Sequence, residues 1–312
     1  MTTCVLIRNP VSRRSLDEMR LADAVEIARA AGWDVTVTTT EHEGHATEIA
    51  RDAAARGVEV VVVNGGDGSI NEVINGIAGT PTALAVLPGG TANVWAKEAD
   101  IQKDYVPAMR DIIDGARRRV DLGVANDRYF LLMAGIGFDA LVVPGISVQM
   151  KRRLGAAAYV ISGVRAVFRT RSWRVRMVID DVPIDAPLYW MIIGNTRSYG
   201  GFADILYRAV ADDGLLDIGI MHRGGPLRVV VNGLRVLLKR HTLTTERTPG
   251  SNIAYLQARA IEIETPGLPV QIDGEHAGVT PMRFTIAPLA LTVIVPAGLR
   301  TPLLRREAEQ AV

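Results

Sequence analysis

Gly65-Gly66-Asp67-Gly68-Ser69 is the segment of the chain best suited to phosphate chemistry. Glycines let backbone N–H groups approach an anion closely, and the helix predicted to follow over Ile70–Ile77 directs its positive end at that anion. Ser69 can cap the helix or bond a phosphate oxygen. A carboxylate repels phosphate, so Asp67 either acts through a magnesium ion lying between them or holds the loop; both readings stay open here. A tight, ligand-free turn is the competing explanation. The loop directly follows the valine-rich run Val58–Val63, at the carboxyl end of a strand where parallel sheets bind ligands, and this favours a ligand.

Leu87-Pro88-Gly89-Gly90-Thr91-Ala92-Asn93 repeats the geometry, with Thr91 placed at a helix N-cap. Asn9-Pro10-Val11-Ser12 is a third loop after a strand. Three polar, backbone-rich loops on one sheet edge suit a polyphosphate. None carries the Lys-Ser/Thr ending of a P-loop or the glycine spacing of a dinucleotide fold. Far along the chain, Gln271-Ile272-Asp273-Gly274-Glu275-His276 sets two carboxylates around a glycine. Such a pair can supply a general base and metal positioning, or the segment can be a plain Asp-Gly hairpin. The five histidines are read as scattered, with no pair at ligand spacing, and Cys4 as a small core residue.

These loops need a scaffold. Through residue 122, short apolar strands (Cys4–Ile7, Trp33–Thr39, Val58–Val63, Ala83–Leu87) alternate with helical patterns that begin at Ser15, Ala46, Ile70 and Thr91. This order predicts an α/β domain with a parallel sheet. Beyond it, strands recur at short spacing: Val124–Met133, Trp173–Ile179, Leu188–Ile193, Leu216–Ile220, Ala260–Glu264, Val270–Ile272, Met282–Ile286 and Leu291–Val295. They predict a mainly antiparallel β-sandwich, interrupted by helical patterns near 150–169 and 226–240. The expected division is 1–122, 123–298 and a tail, 299–312, returning to the first domain.

Composition narrows the function. Among 312 residues, 35 Lys and Arg against 34 Asp and Glu give a net charge of +1, which excludes a bulk nucleic-acid binder. Hydrophobic residues at 48% indicate a globular chain, and aromatics at 5% argue against base or sugar stacking platforms. The first ten residues hold an arginine and a proline and lack the apolar core of a secretory signal. No stretch is clean enough to span a membrane.

Taken in order, the motifs resemble the soluble diacylglycerol-kinase-like lipid kinases, kin to the sphingosine and ceramide kinases. The resemblance rests on Asn9–Ser12, Thr40 with Gly44-His45-Ala46, Gly65–Glu72, Leu87–Asn93, Val120–Gly123, Ala134–Asp139, Gly194-Asn195, Asp213–Leu215 and Asp273–Glu275, and covers nearly the whole chain. It implies a NAD-kinase/phosphofructokinase-like first domain and ATP in the interdomain cleft. Asn9, Pro10, Val11, Ser12, Arg13, Thr40, Gly65, Gly66, Asp67, Gly68, Ser69, Ile70, Asn71 and Thr91 would line the nucleotide. Glu275 matches the general base that takes the proton of the lipid hydroxyl, and Asp273 would assist the catalytic Mg2+ or the transferring phosphate. Asp213, with the carbonyls of Val210 and Leu215, matches a structural Mg2+ site, which Asp121 would link to the active centre. Three positions depart from the family pattern: Arg13 for Gly, Ser69 for Thr, and Val94 for Asp.

Charge is also segregated. No acid lies between Asp139 and Asp180, where Lys151, Arg152, Arg153, Arg165, Arg169 and Arg171 mix with apolar residues. A second acid-free stretch, Ile218–Thr245, holds Arg223, Arg228, Arg235, Lys239 and Arg240. Basic charge beside apolar surface suits reversible docking on anionic lipid. The expectation is a cytoplasmic lipid kinase that visits the inner face of the membrane, with an edge strand of the second domain able to pair two copies. Two alternatives remain: a kinase of soluble substrates, since NAD kinases and phosphofructokinases share the Gly-Gly-Asp-Gly loop, and a non-catalytic lipid- or nucleotide-sensing module.

Overall fold

The computed structural model describes residues 1–12, 18–138, 140, 172–201, 203–222 and 253–305. The chain forms two compact units. The first is Met1–Leu122, Ala211–Asp213 and Pro288–Val312; the second is Gly123–Val210 and Gly214–Ala287. The return to the first unit thus begins at Pro288 rather than near Leu299.

The first unit opens with β1 (Thr3–Arg8), α1 (Glu18–Ala30), β2 (Asp34–Thr39), α2 (His45–Ala55), β3 (Val60–Gly65), α3 (Asp67–Ile77), β4 (Ala83–Pro88), α4 (Val94–Glu98), α5 (Tyr105–Ile113) and the start of β5 (Ala116–Ala125). As predicted, its sheet is parallel, in the order β2-β1-β3-β4. Val60, Val61, Val62 and Val63 of the central β3 are fully buried, which explains the uninterrupted β-branched run. Each such side chain contributes about 1.5–3 kcal/mol relative to exposure. Cys4 lies in this core, and burial pushes its thiol up to about 12, so it is no nucleophile.

The remaining strands are β6 (Arg128–Phe130), β7 (Met133–Gly137), β8 (Trp173–Ile179), β9 (Val182–Leu188), β10 (Trp190–Gly194), β11 (Ser198–Tyr199), β12 (Ala203–Asp204), β13 (Leu216–Met221), β14 (Ile253–Ala258), β15 (Ala260–Ile263), β16 (Pro269–Ile272), β17 (Glu275–Val279) and β18 (Met282–Val295). In the second unit one antiparallel sheet runs β14-β13-β10-β7-β16-β17. A second antiparallel set joins β9, β8, β15 and the first residues of β18. Val175, Met177, Ile261 and Phe284 of this set share one buried cluster with Ala134, Ile136, Met191, Ile218 and Val270 of the other sheet, the inner faces of a sandwich.

Several boundaries differ from the sequence expectation. The helix after the glycine loop starts at Asp67, not Ile70. α4 starts at Val94 with Asn93 as its left-handed N-cap, φ 47°, so Thr91 is not the cap. α5 is not among the helices expected from the sequence; the Asp104 carboxylate accepts the Val106 amide at 3.1 Å and caps it. The expected strand Val124–Met133 is broken by a turn at Asn126, φ 51°. Strands expected at 282–286 and 291–295 are a single β18, whose Thr292 and Val293 lie parallel to Ala83 and Leu84 of β4. The helical patterns near 150–169 and 226–240 lie outside the described residues, as does the helix start at Ser15.

Candidate active site

Three loops of the first unit meet at the carboxyl ends of adjacent strands. The Gly89 amide donates to the Gly65 carbonyl at 2.8 Å, and the Asn9 amide to the Asn64 carbonyl at 3.0 Å. The Asn9 side-chain amide donates to Ser69 Oγ at 2.8 Å, while its Oδ1 accepts the Val11 amide at 3.1 Å. The glycines are demanded by contact. A Cβ on Gly90 would stand 2.5 Å from the Gly66 Cα, and one on Gly89 would stand 3.0 Å from Ser12 Oγ. Backbone therefore faces backbone across these loops, the arrangement that can present N–H groups to phosphate oxygens.

Of the two readings of Asp67, the described hydrogen bonds carry the one in which it holds a loop: Asp67 Oδ1 accepts the amides of Val94 at 2.7 Å and Trp95 at 3.4 Å, at the start of α4. Asn93 closes the same loop on itself, accepting the Gly90 amide at 2.8 Å and donating to its carbonyl at 2.9 Å. Gly65, Ser69, Ile70 and Asn71 are buried, Gly66, Asp67 and Gly68 half-buried, and Thr91 exposed. Ile70 is a core residue of α3 rather than a loop lining, because helix turn one points it inward. Pro10 and Val11 are exposed, Ser12 is half-buried, and Arg13 lies outside the described residues. Half-buried Thr40 follows β2, its amide donating to the Arg8 carbonyl at 2.9 Å.

The carboxylates of the second unit separate by duty. Asp273 and Gly274 both have positive φ, 47° and 85°, and form the two-residue turn of the β16–β17 hairpin. Asp273 was expected to assist metal or phosphate. Its oxygens accept the amides of Leu131 at 3.0 Å, Leu132 at 3.0 Å and Met133 at 2.9 Å, and it is buried. It anchors the turn. Across the turn, Glu275 stays partly exposed, and Arg128 Nη2 approaches its Oε2 at 2.6 Å. Nothing local in the sequence marked Arg128, because it meets Glu275 only through the fold.

Val210, Asp213 and Leu215 are each half-buried ahead of β13. Within the first unit, Arg305 donates from Nη2 to the Asp213 carbonyl at 3.2 Å and from its amide to the Asp212 carboxylate at 2.8 Å. Buried Asp121 accepts the Leu289 amide at 2.6 Å, and its own amide donates to the Ala211 carbonyl at 2.7 Å. It thus ties down the 211–213 segment.

The histidines are not all scattered. His42 and His45 stack with ring centroids 4.6 Å apart, and with Glu48 they form a group whose ligand atoms all lie within 4.8 Å. Their hydrogen bonds oppose a shared metal. His45 Nδ1 accepts the Glu41 amide, and His42 Nδ1 lies against the Glu43 carbonyl, so both of these nitrogens are already engaged. Glu72, quoted only as part of a motif, accepts the Ala46 amide at 3.0 Å and completes the start of α2, which Gly44 leaves without a side-chain cap. Most of both basic, acid-free stretches, 141–171 and 223–245, lies outside the described residues. No helix among those described is long and apolar enough to cross a membrane.

A parallel sheet edged by glycine loops and an antiparallel sandwich define a bipartite kinase-like class. Residues 3–125 match the Diacylglycerol kinase catalytic domain, and residues 133–295 match the YegS C-terminal NAD kinase beta sandwich-like domain. A Pseudomonas syringae protein named "Probable lipid kinase YegS-like" is 34% identical over 94% of this chain and 95% of its own. A Bacillus subtilis protein named "Diacylglycerol kinase" is 28% identical over 93% and 95%. In fold, the chain resembles the crystal structure of a diacylglycerol kinase from Bacillus anthracis, with a TM-score of 0.74 at 22% identity, over 95% and 98% of the two chains. The chain belongs to the YegS-like family of lipid kinases.

Proposed function

We propose that the protein transfers the γ-phosphoryl group of ATP to the hydroxyl of a lipid, diacylglycerol or a close chemical relative. One observation carries this: Gly65-Gly66 pack on Gly89-Gly90 through backbone alone, beside Asn9 and Ser12, at the ends of β1, β3 and β4. That surface suits the phosphates of a nucleotide. The names of the relatives support a lipid acceptor over NAD or a sugar phosphate.

Within this reading the loops bind the phosphates, and Asp67 fixes the spacing of two of them. Asp273 locks the hairpin turn that presents Glu275. Glu275 accepts the proton of the lipid hydroxyl while the hydroxyl oxygen bonds to the γ-phosphorus and the bond to the bridging oxygen of ADP breaks. The donor types fit Mg2+, which takes oxygen ligands: the Asp67 carboxylate, which would serve the ion as well as holding the α4 amides, and Asp213 with the carbonyls of Val210 and Leu215. Bound with the nucleotide, the ion neutralises charge on the phosphates. The basic, acid-free stretches between 140 and 179 and between 218 and 245 supply the contact with anionic lipid, at roughly 1 kcal/mol per basic residue near the surface.

The test is labelled-phosphate transfer from ATP, with a total lipid extract in mixed micelles set against NAD and fructose phosphate. Label is expected in the lipid phase, and the Glu275→Gln variant should bind ATP normally yet turn over at least ~100-fold more slowly. Label in NAD or sugar phosphate instead would overturn the lipid assignment. Near-normal turnover of Glu275→Gln would overturn the base assignment.

A further inference from the structure

We infer that Arg128 is a positioning residue for the carboxylate of Glu275, and that the segment 128–133 sets the geometry of the base; this rests on the proposal that Glu275 is the general base. Arg128 Nη2 lies 2.6 Å from Glu275 Oε2, although the two side chains are 35% and 42% exposed. An ion pair that exposed adds little to stability, so folding alone does not account for so close a contact. Its setting is more telling. Three residues beyond Arg128, the amides of Leu131, Leu132 and Met133 grip the Asp273 carboxylate. Asp273 and Gly274 form the two-residue turn that pairs Ile272 with Glu275. One stretch of backbone therefore clamps the turn, and one guanidinium from the same stretch holds the side chain that emerges from it.

The chemistry explains why such a hold matters. Glutamate has a flexible side chain, and a base must meet its proton at hydrogen-bonding distance in the reactive geometry. Charge-assisted bonding of Oε2 to Arg128 fixes the carboxylate plane and leaves Oε1 to receive the hydroxyl proton. The bonds that form and break are those given above, and Arg128 exchanges none.

A double-mutant cycle tests this, using the full chain, labelled ATP and the lipid extract in mixed micelles, with thermal melts and ATP titration on each variant. Arg128→Met should lower kcat by ~10–100-fold and leave the KM for ATP within about twofold. Arg128→Lys should recover part of the loss, since it restores charge without the planar fork. The double variant Arg128→Met/Glu275→Gln should be no slower than Glu275→Gln, because Arg128 acts through Glu275. The inference is overturned if Arg128→Met keeps its kcat while Glu275→Gln loses its own, or if the two losses multiply, which would place Arg128 directly on the substrate or phosphate. Near-normal turnover of Glu275→Gln instead sinks the base assignment and this inference together. Should Arg128→Met fail to fold, Arg128→Lys alone decides: a lowered kcat at constant KM supports the inference, and an unchanged kcat defeats it.

Discussion

The Asp67 carboxylate accepts the backbone amide of Val94 at 2.7 Å, across 27 positions of sequence, and so staples the start of α3 to the start of α4. Val94 stands where the family pattern has an aspartate. This chain uses the amide at that position, which any residue but proline supplies, so the departure leaves the staple intact. Asp67→Ala should remove it. The expected outcome is a loss of about 1–3 kcal/mol in stability and weaker ATP binding together, read by urea unfolding and nucleotide titration. Unchanged values of both would show that the staple is dispensable.

Gly90 is held by contact rather than by an unusual backbone angle. A methyl group there would meet the Gly66 Cα at 2.5 Å, and neither partner is a side chain that can swing away. Gly90→Ala should push the two loops apart, costing about 1–3 kcal/mol and weakening ATP binding more than Gly79→Ala weakens it. Gly79 has open space but a φ of 76°, so its variant reports backbone strain without the clash.

Asp273→Ala would leave the amides of Leu131, Leu132 and Met133 without the carboxylate that they share. The expected loss is about 2–4 kcal/mol of stability, with turnover lowered even at temperatures where the protein stays folded, because the turn bearing Glu275 loosens. Were Asp273 purely a phosphate or metal contact, turnover would fall with little change in the melting temperature.

Tyr255 predicts a pH effect. Its hydroxyl donates to the buried Asp217 carboxylate and accepts the Arg208 amide at 3.2 Å. Burial first, and then the bond to Asp217, raise its pKa above the ordinary value of 10.0. The folded state therefore keeps a proton that the unfolded chain releases as pH rises past 10, and stability falls over that range. Tyr255→Phe should cost about 1–3 kcal/mol near neutrality and flatten the alkaline decline. Unfolding curves from about pH 8 to about pH 11 would check the slope.

The parallel sheet was legible because its code is local: β-branched runs such as Val60–Val63 and glycine loops directly after them state burial and turn in neighbouring residues. Helix starts were less legible. α4 opens at Val94, where Asp67 at the start of α3 supplies an acceptor, whereas Thr91 only had the right chemistry for a cap. β18 read as two strands because Pro288 and Leu289 interrupt its pattern. Leu289 takes a φ of 48°, and in that conformation its amide is held by Asp121 and its carbonyl by Arg119.

The sequence by itself determined the three glycine loops, their place on a parallel sheet, and the two carboxylates flanking Gly274. Only the tertiary structure decided which donors each carboxylate meets. Asp67 and Asp273 are bound by backbone amides from distant segments, and Glu275 faces a guanidinium 147 positions away. The physical reason is that these donors lie far apart in sequence and come together only when the chain folds.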